Sequence, residues 1–491
     1  MHPLARLDQR FLWHPFTQMR DWLKREPIVI VRGKGAELED AHGRRYLDAN
    51  ASIWTNLHGH RHPALDRAVK AQLGKVAHSS ALGLANEPAA VLAEQLVTAA
   101  NRPRLKGQPK LAKVFLSDDG STAMEVALKL AYEFARRSGR GAKPRFLSLR
   151  GAYHGDTVGA VSVGHIDLFH KAYAGLLFKT DAVMAPYCYR CPFNRAKAER
   201  ADAREYRKCN WECVGKVEQA FARRTRRPGA AGAGAGGSAK AGDGAGYAAM
   251  VVEPLMQGAA GMIPQPVGWL KRVAEIARGH GAQLIADEVM TGFGRTGAGS
   301  GVGLFACGRE SVRPDYLVLA KGLTGGYLPM AATVVTQGIF DAFLGEYEEF
   351  KTFFHGHSFT GNQLGAAAAN ASMELLATEE SVRRRGELEG ELRAALAGLW
   401  KLENVGDIRQ VGLVAGVELV RNWRTREGFA LAERAGIRVC EAMARRGVLT
   451  RPIGNVVVVM PPYCTTARQV ATMVRVLGEA IGEVLGGGAG G

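Results

Sequence analysis

No run of about 18 consecutive apolar residues occurs in the 491-residue chain, so the sequence offers no segment able to span a bilayer as a helix, and no membrane partner is expected. The opening stretch, MHPLARLDQRFLWHPF, lacks the basic-then-apolar pattern of a secretory leader and carries Asp8, which points to a cytoplasmic protein. Cysteine is sparse. Seven residues, an odd number in a long chain, fit reduced thiols better than a disulfide framework. Negative charge is in short supply too, with 47 Asp and Glu against 64 Lys and Arg, a formal balance of +17. Such a surplus raises the question of nucleic acid. No helix-turn-helix, finger or aromatic-basic platform accompanies it, so a generally basic surface is the expectation and nucleic acid is not. Part of the surplus is local: residues 195–228 hold eleven Lys or Arg against five Asp or Glu and read as a solvated helical insertion. Bulky side chains are missing from residues 229–246, where fifteen of eighteen are Gly or Ala, the composition of a flexible surface loop.

Hydrophobic residues at 47% and charged residues at 23% are ordinary globular usage, and the length allows a sizeable buried core. Strand and helix signals alternate through the middle of the chain. Residues 113–117, 145–149 and 248–252 read as strands, 121–138 as a helix, and 266–280 as a helix with Pro near its start and Gly281 at its end. Apolar runs ending at Asp287 and Lys321 supply two more strands. This alternation predicts an α/β fold with a mostly parallel sheet covered by helices on both faces, and a smaller α+β domain after it. Helices are expected at 379–400, 429–446 and 466–485, around strands at 407–420 and 456–460. The expected organisation is an N-terminal segment, 1–61, with a hairpin signal at 32–48, joining the small domain; a large α/β domain, 62–345, with an insertion at 195–246; and the small domain, 346–491.

The chemistry concentrates between Gln283 and Gly326. One buried strand delivers Asp287 into DEVMTGFGRTG and the next delivers Lys321 into KGLTGGYLP. Charges are seldom buried without a partner or a task. An acid able to hold a pyridinium nitrogen protonated, and a lysine able to form a Schiff base, are what pyridoxal 5'-phosphate requires. Upstream, SDDGSTAMEVALK joins a strand to a helix, with Gly120 allowing close backbone approach and Ser121 beside free N–H groups, a seat for phosphate. Tyr153 in YHGDT could lie on a flat heterocycle, and Glu253 ends another strand. Singly these are weak signals: a helix cap, a packed tyrosine, a turn carboxylate. Together they fall at the C-terminal ends of successive strands, the rim where such sheets bind ligands.

At this level of detail the chain resembles the class III pyridoxal-phosphate aminotransferases. The resemblance runs over nearly the whole length. It is carried by WHPFTQM at 13–19, HGH at 58–60, DDGSTAMEVALK, GAYHGDTVGAVSVG, VEPLMQGAAGM, IADEVMTGFGRTG, LAKGLTGGYLPMAAT, FFHGHSFTGN and RPIGNVVVVMPPY at 451–463. It implies a fold-type I PLP-dependent transferase, working as a homodimer with shared active sites. The more specific motifs imply a biotin-pathway activity, transfer of an amino group to 8-amino-7-oxononanoate to give 7,8-diaminononanoate. By the same resemblance, Lys321 would carry the coenzyme and shuttle protons, and Asp287 would hold the ring nitrogen protonated. Gly120 and Ser121 would bind the phosphate, His357 and Ser358 from the second subunit would complete that site, and Tyr153 would stack on the ring. Substrate would meet Ile53, Trp54, Tyr153, Gly356 and Arg451, with Arg451 gripping a carboxylate and Arg295 near the donor or one layer behind it.

The amino donor implied is S-adenosylmethionine, but many members have two adjacent tryptophans where this chain has Ile53 and Trp54, and tyrosines where it has Phe16 and Val458. Relatives with an aliphatic residue before the tryptophan include users of lysine, which is the alternative donor. Relatives that share Asp287 and Lys321 also include ω-amino-acid aminotransferases and a glutamate-semialdehyde mutase. Outside these motifs, Cys188, Cys191, Cys209 and Cys213 make C-x2-C-x17-C-x3-C, close to zinc spacing, although free buried thiols are the ordinary reading and no catalytic metal is expected.

Overall fold

The computed structural model describes residues 1–140, 144–225, 246–297 and 303–486. Its centre is a seven-stranded sheet. From edge to edge the strands are Leu111–Ser117, Ala331–Thr336, Tyr316–Leu319, Gln283–Asp287, Tyr247–Val252, Arg145–Leu149 and Asp181–Val183. Only Ala331–Thr336 runs against the rest, so six strands end on one edge. Register places Asp287 opposite Val318 and Ala331 opposite Ser117.

Alternation along the strands explains the layers. Leu284, Ala286, Leu317 and Leu319 face one core with Leu92, Leu96, Trp269 and Val273 from helices Glu87–Ala100 and Trp269–Gly279. Ile285, Tyr316 and Val318 face the other core, covered by helix Gly120–Arg137. That helix starts where Asp119 caps the Thr122 N–H at 2.9 Å and ends just before Gly139 at φ 72°. It buries Ala123, Met124, Ala127, Leu128 and Ala131 as one stripe. Each large apolar side chain so buried contributes about 1.5–3 kcal/mol.

A second sheet is built mainly from Val405–Val411, Val414–Asn422, Val456–Val459 and Pro452–Ile453, flanked by helices Glu379–Ala397, Ala435–Arg445 and Ala467–Leu485. Near the N-terminus, strands Ile30–Lys34, Glu37–Asp40 and Arg45–Asp48 form a sheet whose fourth member is Val448–Leu449, parallel to Arg45–Asp48.

Several expectations need correction. Helix Glu212–Thr225 is not a solvated face, since Val217 and Phe221, one turn apart, are buried in the main core. The helix expected from Phe429 begins at Ala435, because Arg434 sits at φ 54° after a short turn at Leu431–Glu433. The helix expected from Pro266 starts at Trp269, behind Gly268 at φ 84°. The Gly/Ala stretch 229–246 lies outside the described residues apart from Gly246. Among the described residues, no helix is long and apolar enough to cross a membrane.

Candidate active site

The ends of the parallel strands surround a cavity of about 470 Å³. Asp287, the last residue of its strand, is buried there. Its Oδ2 accepts a hydrogen bond from His154 Nδ1 at 2.7 Å, and its Oδ1 accepts the Val289 N–H at 3.0 Å. His154 is itself buried and its Nε2 has no partner among the described residues, so the ring serves as a brace for the carboxylate. Lys321 follows the neighbouring strand at φ 44°, a left-handed conformation costing a non-glycine residue about 1–2 kcal/mol. Its Nζ stands 5.1 Å from the Trp54 ring centroid and has no hydrogen-bond partner among the described residues. Burial pushes the Lys321 amine below the usual lysine range, with Asp287 and Glu253 pulling the other way. Glu253 accepts the N–H groups of Tyr153 at 3.2 Å and Gly258 at 2.7 Å. Burial pushes its carboxyl up to about 7.

The wall opposite is the start of helix Gly120–Arg137. Asp119 and its carbonyl take the N–H groups of Thr122 and Ala123, which leaves the N–H groups of Gly120 and Ser121 without an acceptor among the described residues. Paired N–H groups at a helix N-terminus make an anion seat. Ser121 Oγ accepts the Asp156 N–H at 3.1 Å. Gly155, at φ 120°, passes so close that a Cβ there would lie 2.1 Å from the same oxygen. Only glycine fits. The Tyr153 ring borders the cavity, its hydroxyl donating to Asp156 at 2.6 Å and its edge meeting Phe16 at 6.4 Å.

Trp54 enters the wall by an unusual route. Ala51, Ser52, Ile53 and Trp54 all have positive φ, 44°, 49°, 60° and 69°, a full left-handed turn without a glycine. Asp48 braces it, accepting Asn50 N–H at 3.3 Å, Ser52 N–H at 3.1 Å and Ser52 O–H at 2.8 Å, with His60 Nε2 at 3.1 Å. Burial works to raise the Asp48 pKa, but the hydrogen bonds from His60 and Ser52 outweigh it and hold the carboxyl below its ordinary value. Asn50 Oδ1 then fixes the Trp54 indole N–H at 2.8 Å.

The structure thus brings together Asp287, Lys321, Gly120, Ser121, Tyr153 and Trp54 around one cavity. Others stand elsewhere. Arg295 is fully buried, donating to the carbonyls of Pro461 at 2.6 Å and Asn56 at 2.8 Å and covering the Tyr463 ring, so it supports the loop before the cavity and is not among its lining residues. Ile53, 42% exposed, adjoins Trp54 without lining the cavity. Arg451 is exposed and accepts at its backbone the Val458 N–H. Val458 is buried among Met256, Met290 and Met460 beneath Trp54. Gly356, His357 and Ser358 lie outside the cavity of this chain, where the Ser358 carbonyl accepts from His78 at 2.9 Å. Two contributors went unassigned in the sequence: His154, adjacent to Tyr153 in YHGDT, and Asp48, whose strand carried no motif.

This arrangement, on a mostly parallel sheet, is that of an enzyme that works through a lysine amine and a buried acid, and its sequence family narrows it to the aminotransferases. The chain belongs to the class-III aminotransferase family, whose model matches residues 19–221 and 239–481. Among its relatives is the adenosylmethionine-8-amino-7-oxononanoate aminotransferase of Geobacter sulfurreducens, 48% identical over 483 residues, covering 98% of this chain and 97% of its own. The crystal structure of the like-named enzyme of Methanocaldococcus jannaschii superposes with a TM-score of 0.85 at 36% identity, covering 98% of this chain and 99% of that one. An amine transaminase from an uncultivated Pseudomonas species, solved in its PLP-bound form, gives 0.83 at 31% identity over 96% of this chain and 98% of its own.

Proposed function

We propose that this chain transfers an amino group to the ketone of 8-amino-7-oxononanoate, giving 7,8-diaminononanoate, with S-adenosylmethionine as donor and pyridoxal 5'-phosphate as coenzyme. One observation carries the reading: the Lys321 amine, which has no hydrogen-bond partner among the described residues, shares its cavity with the braced Asp287 carboxylate and with the Gly120 and Ser121 N–H groups, which have no acceptor among those residues. That donor set fits an aldehyde-bearing, phosphate-bearing heterocycle. When bound, the coenzyme supplies an aldehyde that captures amines and a ring that withdraws electrons from the adjacent carbon.

The chain's own residues do the rest. Lys321 Nζ would hold the coenzyme and, when free, would move the proton at the substrate carbon; its burial favours the uncharged amine that this task needs. Asp287, oriented by His154, would hold a proton on the nitrogen of a bound pyridine ring. Gly120 and Ser121 would hold the phosphate through their N–H groups, and Tyr153 and Trp54 would wall the ring and the substrate. The exposed guanidinium of Arg451 receives the acceptor's carboxylate, for which a planar fork is suited.

Lys321 is the only lysine or arginine among the residues lining the cavity, so further donors for the phosphate come from a second subunit, through its Gly356–Ser358 segment. Exposed Leu82, Phe354 and Phe359 near that segment suit a subunit contact. The working form is then a cytoplasmic homodimer.

A second reading keeps the acceptor and takes lysine as donor. It is favoured by Ile53, Phe16 and the buried Val458, which remove a stacking surface and two hydroxyls from the wall where a sulfonium nucleoside would lie. A donor panel with 8-amino-7-oxononanoate separates the readings. Diamine from adenosylmethionine supports the first, diamine from lysine alone the second, and turnover only with terminal ω-amines and simple keto acids defeats both. Borohydride reduction should fix the coenzyme on the peptide containing Lys321, and Lys321→Ala should abolish that adduct.

A further inference from the structure

The four cysteines spaced C-x2-C-x17-C-x3-C play no part in the chemistry above. Cys188 opens a short turn, Cys188–Arg190, Cys191 follows it, Cys209 lies in the next loop, and Cys213 sits in the first turn of helix Glu212–Thr225. All four are free thiols. Although as many as 25 residues apart in sequence, they border one small, partly open cavity of about 10 Å³, room for a single ion or water. Arg207 and Trp211 border it too. Arg207 has its guanidinium 4.5 Å from the Trp211 ring centroid, and its buried Nε lacks a partner among the described residues. None of these residues lines the cavity at Lys321.

We propose that Cys188, Cys191, Cys209 and Cys213 form a structural site for a soft divalent cation, with zinc as the occupant. Four thiolates satisfy the tetrahedral preference of zinc and close the site to substrate, and two short C-x(n)-C loops supply the ligands in pairs. Four thiolates around a divalent ion carry a net charge of −2, and the Arg207 guanidinium offsets part of it. Among the described residues, no three such groups already stand in a metal-holding arrangement; Cys188, for one, turns its S–H to the Pro186 carbonyl at 3.8 Å. Loading therefore takes rotation of side chains that already share a cavity and release of their four protons.

The site would secure a clasp between distant parts of the chain. Next to Cys188 and Cys191, Tyr187 donates its hydroxyl to Glu418 at 2.5 Å and Arg190 grips the same carboxylate at 2.6 and 2.9 Å, while Arg426 donates to the Tyr189 carbonyl at 2.9 Å. A cation at the cysteines fixes the backbone from which those side chains reach.

The test is elemental analysis of full-length holoenzyme grown with added zinc and freed of loose metal. About one zinc per chain is expected. It should be released by a mercurial, replaceable by cobalt with thiolate-to-metal absorption, lost in Cys191→Ser, and kept in Cys464→Ser, a cysteine outside the cluster. Stripping should lower the melting temperature by several degrees and zinc should restore it. If Cys191→Ser fails to accumulate, the wild-type metal count and the cobalt spectrum decide. Protein with almost no metal and all seven thiols titratable in denaturant would overturn the proposal, as would four missing thiols indicating two disulfides.

Discussion

Replacing Asp48 by alanine removes the brace of the left-handed turn that sets Trp54 in the cavity wall. Four non-glycine residues at positive φ cost together roughly 4–8 kcal/mol, at about 1–2 kcal/mol each. The carboxylate accepts three hydrogen bonds from Asn50 and Ser52 and meets His60, and bonds to a charged group contribute about 1.5–3 kcal/mol each. The two totals are comparable, so the turn persists only while Asp48 is present. In Asp48→Ala the backbone relaxes and recovers the strain, which confines the loss in unfolding free energy to about 1–3 kcal/mol. The functional loss should be larger: Trp54 leaves its position, and kcat/KM falls about a hundredfold or more, as for a misplaced positioning group. Asp48→Asn keeps one carbonyl acceptor for the two N–H groups and should fall between. Urea unfolding followed by circular dichroism, beside steady-state kinetics, reads both quantities. A stability loss above about 5 kcal/mol with kcat/KM unchanged would mean that the surroundings, not Asp48, hold the turn.

Arg295→Met should lower stability by about 2–4 kcal/mol, because the Pro461 and Asn56 carbonyls lose their donors, and chemical denaturation checks it. Glu418→Gln should cost about 3–5 kcal/mol, since the buried Arg409, 2.6 Å away, keeps only the Asp407 carboxylate at 3.1 Å and Arg190 loses its carboxylate altogether; a calorimetric Tm equal to wild type would contradict this. Burial pushes Glu288 from 4.5 up to about 7, with the N–H groups of Cys307 and Ala306 opposing. A raised folded pKa means that the folded state binds the proton more tightly, so this contribution is full below pH 4.5 and disappears as pH rises through 7. It amounts to at most about 3 kcal/mol. The slope of unfolding free energy against pH from 5 to 7 should flatten in Glu288→Gln, and an unchanged slope would assign the titration to another group.

The parts legible in the sequence were those with strong local signals. Leu284–Ala286 and Tyr316–Ala320 are unbroken apolar runs, each followed by a charge, and such runs fit strands buried on both faces. Helix Gly120–Arg137 was legible as a helix at 121–138 through the Gly120–Ser121 turn before a periodic apolar stripe, while its Asp119 cap emerged only in the structure. Strand Ala331–Thr336 and helices Glu87–Ala100 and Gln363–Ala377 escaped because their alanines pack against neighbours and carry little periodic contrast. The turn at Ala51–Trp54 was invisible for a sharper reason. Positive φ is signalled by glycine or asparagine, and here the conformation is imposed by Asp48 hydrogen bonds and by contacts far along the chain. The role of Arg295 was only half visible, since an arginine in a glycine-rich turn reads alike whether it meets a ligand or two carbonyls.

The strand that carries Asp48 pairs with Val448–Leu449, so during synthesis the lysine-bearing sheet leaves the ribosome well before the partner of that early strand does. Until then that strand is paired on one side only, by Glu37–Asp40. A nascent polypeptide can complete its central layers and still lack a finished wall at Trp54, because that wall waits on the emergence of Val448–Leu449.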